Sequence, residues 1–319
     1  MTVTRTARLT GAALCAALAL VIVVWLLRDL AVLGPSTELL WSWAGDHGFR
    51  LHAGVATSLV DPLLLVAYVT TALTALRSSL AGPALAVTGL TTLALRLPGL
   101  WASGVEELVT ALLSLALGGA LVVTAAAGRS DDRTGPGEGP DVPPAPPGHD
   151  PARTGPVVTA GILCALAGLV WAAWELRRAT LLPGDHTVSR FTGGRSLLLP
   201  ALAVPPGWLN AVLVLLLLAA AGSAFARAGH ARPLGLLAGL LLAGVGASGV
   251  AAALRTDWHT FVPEPGLSSV AYDLASGYAL LTGLVVMALL GRPGRARRVP
   301  YRPTAALPPA PPSRRPPGW

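Results

Sequence analysis

Three polar residues lie where apolar sequence surrounds them, and they are the first candidates for chemistry. Asp61 sits among Leu59, Val60 and Leu63 to Leu65, Asn210 follows Trp208 and Leu209, and Asp273 follows Val270, Ala271 and Tyr272. An ionisable carboxyl in hydrocarbon costs up to ~3 kcal/mol on insertion scales, so it needs a proton, a cation or a polar cavity. Arg28, Arg50 and Arg96 are the cations closest to Asp61 in depth under the topology derived below. Arg28 has a counterpart in Arg177, as Asp61 has in Asn210. Asp61, Asn210, Asp273, Arg28 and Arg177 therefore make up a candidate intramembrane polar site. Its chemistry would be binding or proton coupling, and of the matched pair Asp61 and Asn210 only the acid can titrate. Pro62, which brings no N–H, is expected to free the carbonyl of Ser58 and kink the helix beside Asp61. The competing reading makes Asp61 a structural acid, neutral or paired with one of the three arginines.

Other chemistry-bearing residues have ordinary explanations beside them. Glu106 and Glu107 open an apolar span, where acids complement the helix dipole by roughly 0.3 to 1 kcal/mol. Gly45, Asp46, His47 and Gly184, Asp185, His186 repeat one tripeptide, and Asp257 with His259 adds a third acid and imidazole. Such ligands suit a divalent ion such as zinc, but adjacent residues on polar loops read first as exposed turns, and no metal is assigned. Gly246, Ala247, Ser248, Gly249 resembles the nucleophile turn of rhomboid intramembrane proteases. The resemblance stops there, because the following span from Val270 to Leu290 holds no histidine to act as base. Gly235, Gly239, Gly244, Gly246 and Gly249 instead offer small surfaces for close helix packing. Phosphate loops and haem or cluster motifs are missing, and no cofactor is expected. Cys15 and Cys164 fall inside apolar runs as small hydrophobes.

The elements that must position these residues are membrane helices. Hydrophobic residues make up 53% of the chain, only 12% are charged, and the mean hydropathy is +0.62, which places it among polytopic membrane proteins. Apolar spans run over about 9–27, 53–76, 79–95, 106–127, 157–175, 208–226, 233–254 and 270–290. Each can cross roughly 30 Å of hydrocarbon at ~1.5 Å per residue. The first span ends in Trp25, Leu26, Leu27, Arg28 rather than in a small-residue cleavage site, so it reads as an uncleaved helix. All 23 basic residues are arginine, a bias that fits a bacterial origin. Placing both termini in the cytoplasm puts fifteen of these 23 arginines inside, the arrangement the positive-inside bias favours for a plasma-membrane protein. The net charge of +7 belongs to short loops and a tail, where anionic lipid and topology explain it better than nucleic acid does.

The eight spans divide into two sets of four. Leu14, Cys15, Ala16, Trp25 and Arg28 match Leu163, Cys164, Ala165, Trp174 and Arg177 at one offset, which also sets Asp61 on Asn210. Four helices per half make the repeats enter the membrane in the same direction. The expected organisation is all-α: a four-helix repeat over 1–128, a Pro/Gly-rich disordered linker over 129–155, a second repeat over 156–291 and an Arg/Pro-rich tail over 292–319. The partners expected are the bilayer, anionic lipid at the tail, and a protein partner of unspecified identity. Two functions from different classes follow. One is a small-solute or ion transporter, or transport accessory, with its polar site between the repeats. The other is a non-catalytic membrane scaffold binding through its outer loops or tail. An enzyme acting on lipid or cell envelope ranks third, with no complete catalytic set to support it.

Overall fold

The structure is a computed structural model that describes residues 4–34, 36–44, 54–78, 80–101, 104–128, 151–193, 199–254 and 266–292, with side chains at 36, 151–154 and 266–269 left out. The described residues form ten α-helices and no strand: α1 Arg5–Leu33, α2 Ser36–Trp43, α3 Val60–Arg77, α4 Ala81–Arg96, α5 Val105–Ala127, α6 Pro151–Leu181, α7 Gly184–Thr192, α8 Pro206–Phe225, α9 Ala231–Leu254 and α10 Gly266–Gly291. A 3-10 turn, Leu97–Trp101, prolongs α4. Eight of the ten are long and apolar enough to cross a membrane; α2 and α7 are short and lie between spans. Helix is what this sequence must form in hydrocarbon, since every backbone donor finds its acceptor within the segment. The hydroxyls obey the same rule. Thr70, Thr74, Thr110 and Thr124 each donate to the carbonyl four residues back at 2.7–2.8 Å.

Helix packing follows one pattern in both halves. α1 packs on α3 and α5, and α4 packs on α3 and α5; likewise α6 packs on α8 and α10, and α9 packs on α8 and α10. Between halves, α3 and α4 meet α9, and α4 also meets α8. With lipid as apolar as the core, such contacts depend on close fit. The glycines of α9 provide it. A Cβ at Gly239 would stand 3.1 Å from the Gly283 carbonyl oxygen, and one at Gly246 would meet the α10 backbone at Leu280 and Ser276. Gly244 serves the other half, lying under Leu63 of α3. Ser248 spends its hydroxyl on the Val245 carbonyl at 2.9 Å, which accords with a packing role for this stretch. Cys15 and Cys164 are both buried.

Two boundaries differ from the sequence reading. The second span begins at Val60, not near 53, because residues 54–58 are not helical and Ala56 and Thr57 are tied to α1 by hydrogen bonds described below. In addition, α6 begins at Pro151, so the last residues assigned to the linker are helical. Residues 129–150 of that linker and the tail from 293 lie outside the described residues.

Candidate functional site

Charge is sorted by membrane face. All eight described acids, Asp29, Glu38, Asp61, Glu106, Glu107, Glu175, Asp185 and Asp273, lie on the face where α1 and α6 end. At the opposite face stand Arg5, Arg8, Arg77, Arg227, Arg232 and Arg292, and no described acid. The described tryptophans follow the acids: Trp25, Trp41, Trp43, Trp101, Trp171, Trp174 and Trp208 all belong to the acid-bearing face. Their amphipathic rings fit a membrane interface.

Asp61 is 1% exposed, and its partner is Arg96, the arginine of the three that closes α4; Nη2 donates to Oδ1 at 2.5 Å. The other carboxylate oxygen accepts from the Ser58 amide at 2.6 Å and the Ser58 hydroxyl at 3.1 Å. This is the side-chain half of a capping box, Ser58-x-x-Asp61, and it locates Asp61 in the first turn of α3, not midway along a span. The expected kink is therefore corrected. Pro62 is the third residue of the helix, where no intrahelical donor is required, and the Ser58 carbonyl still accepts the Asp61 amide at 3.0 Å. The acid's two oxygens are thus satisfied by a guanidinium and two donors from Ser58.

A second buried carboxylate escaped the sequence reading. Asp29, fully buried near the end of α1, accepts the amides of Ala56 and Thr57 at 3.1 and 2.7 Å and the Thr57 hydroxyl at 2.5 Å. Trp43 of α2 donates to the same hydroxyl at 3.2 Å. The non-helical stretch before α3 has no ladder or helix to satisfy its N–H groups, and Asp29 supplies acceptors for two of them. No local signal marks this role, because the partners are 27 and 28 residues away and Arg28-Asp29 reads as an ordinary polar helix end.

The remaining candidates go to separate places. Asn210, the fifth residue of α8, receives the Trp171 indole N–H at 3.3 Å and donates to Glu175 at 2.8 Å; Glu175 also pairs with Arg190 of α7 at 3.0 Å. Arg28 lies over the Trp25 ring at 4.7 Å and Arg177 over Trp174 at 5.5 Å, so these two exposed cations stack on aromatics and do not neutralise Asp61. Asp273 is half-buried on α10, next to Tyr272, whose ring packs on Trp174. None of Asp61, Asn210 and Asp273 lines either of the two cavities described next. Arg50, Gly45, Asp46, His47, Asp257, His259 and Arg255 lie outside the described residues. Asp185 and His186 are exposed at the start of α7, and among the described residues no three His, Cys, Asp or Glu side chains gather as metal ligands.

Two cavities do lie between the halves. The larger, about 680 Å³, opens at the acid-bearing face and is lined by Arg96, Trp101, Glu107 and Thr110 of the first half and by Thr192 and residues 199–205 of the second. Its floor is cross-braced: the Leu202 amide donates to the Ala56 carbonyl at 2.8 Å, Arg96 Nη1 approaches the Leu202 carbonyl at 3.5 Å, and Trp208 donates to the Ala94 carbonyl at 2.7 Å. Trp101 meets Trp208 edge to face at 6.3 Å. The Glu107 carboxylate folds back over Gly104, leaving that position no room for a Cβ. The smaller cavity, about 360 Å³, is a groove at the arginine face between α3 and α4 on one side and α9 and α10 on the other. Among the described residues that line them, no nucleophile is hydrogen-bonded to a base, and the groups they present are ones that can bind a ligand. No protein-family model matches the chain, and no curated protein or solved structure proves similar to it.

Proposed function

We propose that this protein binds a small polar solute in the cavity where its halves meet, as a transporter or transport accessory of a cell membrane. The carrying observation is the cavity of about 680 Å³ itself, walled by both halves and holding a carboxylate at Glu107, an indole at Trp101 and the buried guanidinium of Arg96. Its size falls in the range of small-molecule sites. The acid, the ring and the loop carbonyls favour a solute with a donor or cationic end. Arginine bias then assigns the arginine face and both termini to the cytoplasm, and the cavity to the outside. The shared packing pattern, α1 to α5 against α6 to α10, supports two parallel four-helix repeats related by an axis along the membrane normal.

A second reading, a non-catalytic scaffold, is favoured by one observation: Asp61 and Asn210 are each locked into contacts within their own half. Coupling between the faces separates the two. With Thr110→Cys and Ala203→Cys bridged across the cavity by a bifunctional thiol reagent, a transporter should alter by severalfold the rate at which Thr74→Cys, in the opposite groove, reacts with a maleimide. An unchanged rate would favour the scaffold and sink the transport reading.

A further inference from the structure

The groove at the arginine face is unlike the outer cavity in its walls. One wall, from α9 and α10, is apolar: Leu236, Leu237, Leu240 and Met287. The other, from α3 and α4, bears Thr70, Thr71, Thr74 and Thr88, but those hydroxyls are consumed. Thr70 donates to the Val66 carbonyl at 2.8 Å, Thr74 to the Thr70 carbonyl at 2.7 Å, and Thr71 and Thr88 bond each other at 2.8 Å. With those donors engaged, an occupant meets mainly methyl and methylene surface inside the groove, and a polar solute would gain little there.

The mouth is different. Arg232 lines it at the start of α9, with exposed Arg77 beside Ser78 on the rim and exposed Arg227 in the turn before α9. Arg232 holds the end of α10 through Nε to the Leu290 carbonyl at 2.7 Å and Nη2 to the Arg292 carbonyl at 3.1 Å. Its Nη1 has no acceptor among the described residues. No described acid stands on this face to compensate these cations. An apolar slot between membrane helices under a cationic rim matches a molecule with a hydrocarbon tail and an anionic head, the chemistry by which basic pockets between helices take anionic lipids. A phosphate also suits the fork geometry of a guanidinium better than a carbonyl or hydroxyl head does.

We infer that the groove between α3–α4 and α9–α10 is a binding site for an anionic phospholipid, its acyl chain along Leu236 and Leu240 and its phosphate at Arg232. This site is independent of the solute-binding reading, since it occupies the opposite face and uses none of the same residues.

Leu236→Trp puts an indole in the groove, remote from the described tryptophans, whose signal is subtracted with that of the parent protein. Phe225→Trp places one on lipid-facing surface of α8 near the same face. The full chain is reconstituted in phosphatidylcholine bilayers containing a minority of either brominated phosphatidylglycerol or brominated phosphatidylcholine. Leu236→Trp should be quenched preferentially by the phosphatidylglycerol, while Phe225→Trp should show little preference. Adding Arg232→Gln should lower the preference about fivefold, and adding Arg77→Gln by less. Should Arg232→Gln fail to fold, the comparison of the two tryptophan positions in the otherwise unaltered chain still decides. Equal quenching of Leu236→Trp by both lipids, or the same preference at Phe225→Trp, would overturn the site.

Discussion

In the first half, Asp61 in the opening turn of the second membrane helix is held by an arginine of the third; in the second half, Asn210, the fifth residue of the second membrane helix, is held by a carboxylate of the first. The ion pair of the first half, Asp61–Arg96, is 1% and 7% exposed, while that of the second, Glu175–Arg190, is 15% exposed at both ends. In the second half the charges sit on α6 and a surface helix, and Asn210 is the link to them. The difference teaches that a polar side chain near a helix start can be satisfied by an opposite charge or by an amide contact. It also ranks the two pairs, because a buried pair is hard to break while a partly wet one contributes little.

The widest gap between the halves should appear on removing one partner. Asp61→Ala strands Arg96 in a buried site and should cost ~3–5 kcal/mol, read as a large fall in the thermal transition in detergent. Replacing the pair together, Asp61→Leu with Arg96→Met, should recover much of that loss; a double variant as unstable as the single one would show that the pair is not the source. Asp29→Ala comes next. It orphans the Ala56 and Thr57 amides, at ~1–3 kcal/mol for each buried donor, and should loosen the segment before α3 in hydrogen exchange while leaving the second half protected.

Asn210→Asp asks whether the second half can bear what the first half bears. It would set a second carboxylate where Nδ2 now donates to Glu175 at 2.8 Å, beside an acid that already pairs with Arg190, and should destabilise by ~1–3 kcal/mol. Stability equal to the parent would mean that the two starts are interchangeable. The smallest effect belongs to Glu175→Gln, which keeps an acceptor for Asn210 and loses only the partly exposed pair; a change within ~1 kcal/mol is expected.

Much of this architecture was legible in the sequence, because hydropathy over twenty residues reports whether a segment can enter a membrane and little can override it. All eight spans could be counted on that basis. What failed was placement at the ends. Gly54 to Leu59 is apolar enough to join a span, and nothing in composition shows that Asp29 ties Ala56 and Thr57 outside the helix. The Ser58-x-x-Asp61 spacing did carry the start of α3, but a run of leucines around it makes an acid look central. Arg96 could be named as one of three partners by depth alone, whereas choosing it required the helix pairing. The two cavities, set by contacts between residues over a hundred positions apart, leave no pattern along the chain.

The proposed outward opening of the cavity shared by the two halves is tested directly by thiol accessibility in intact cells. Native Cys15 and Cys164 are buried and should stay silent. Ala203→Cys, in the cavity wall, should react rapidly with a membrane-impermeant maleimide added outside, and Thr74→Cys, in the groove, only after the membrane is opened. Reaction of Thr74→Cys from outside with Ala203→Cys protected, or protection of both after permeabilisation, would contradict it.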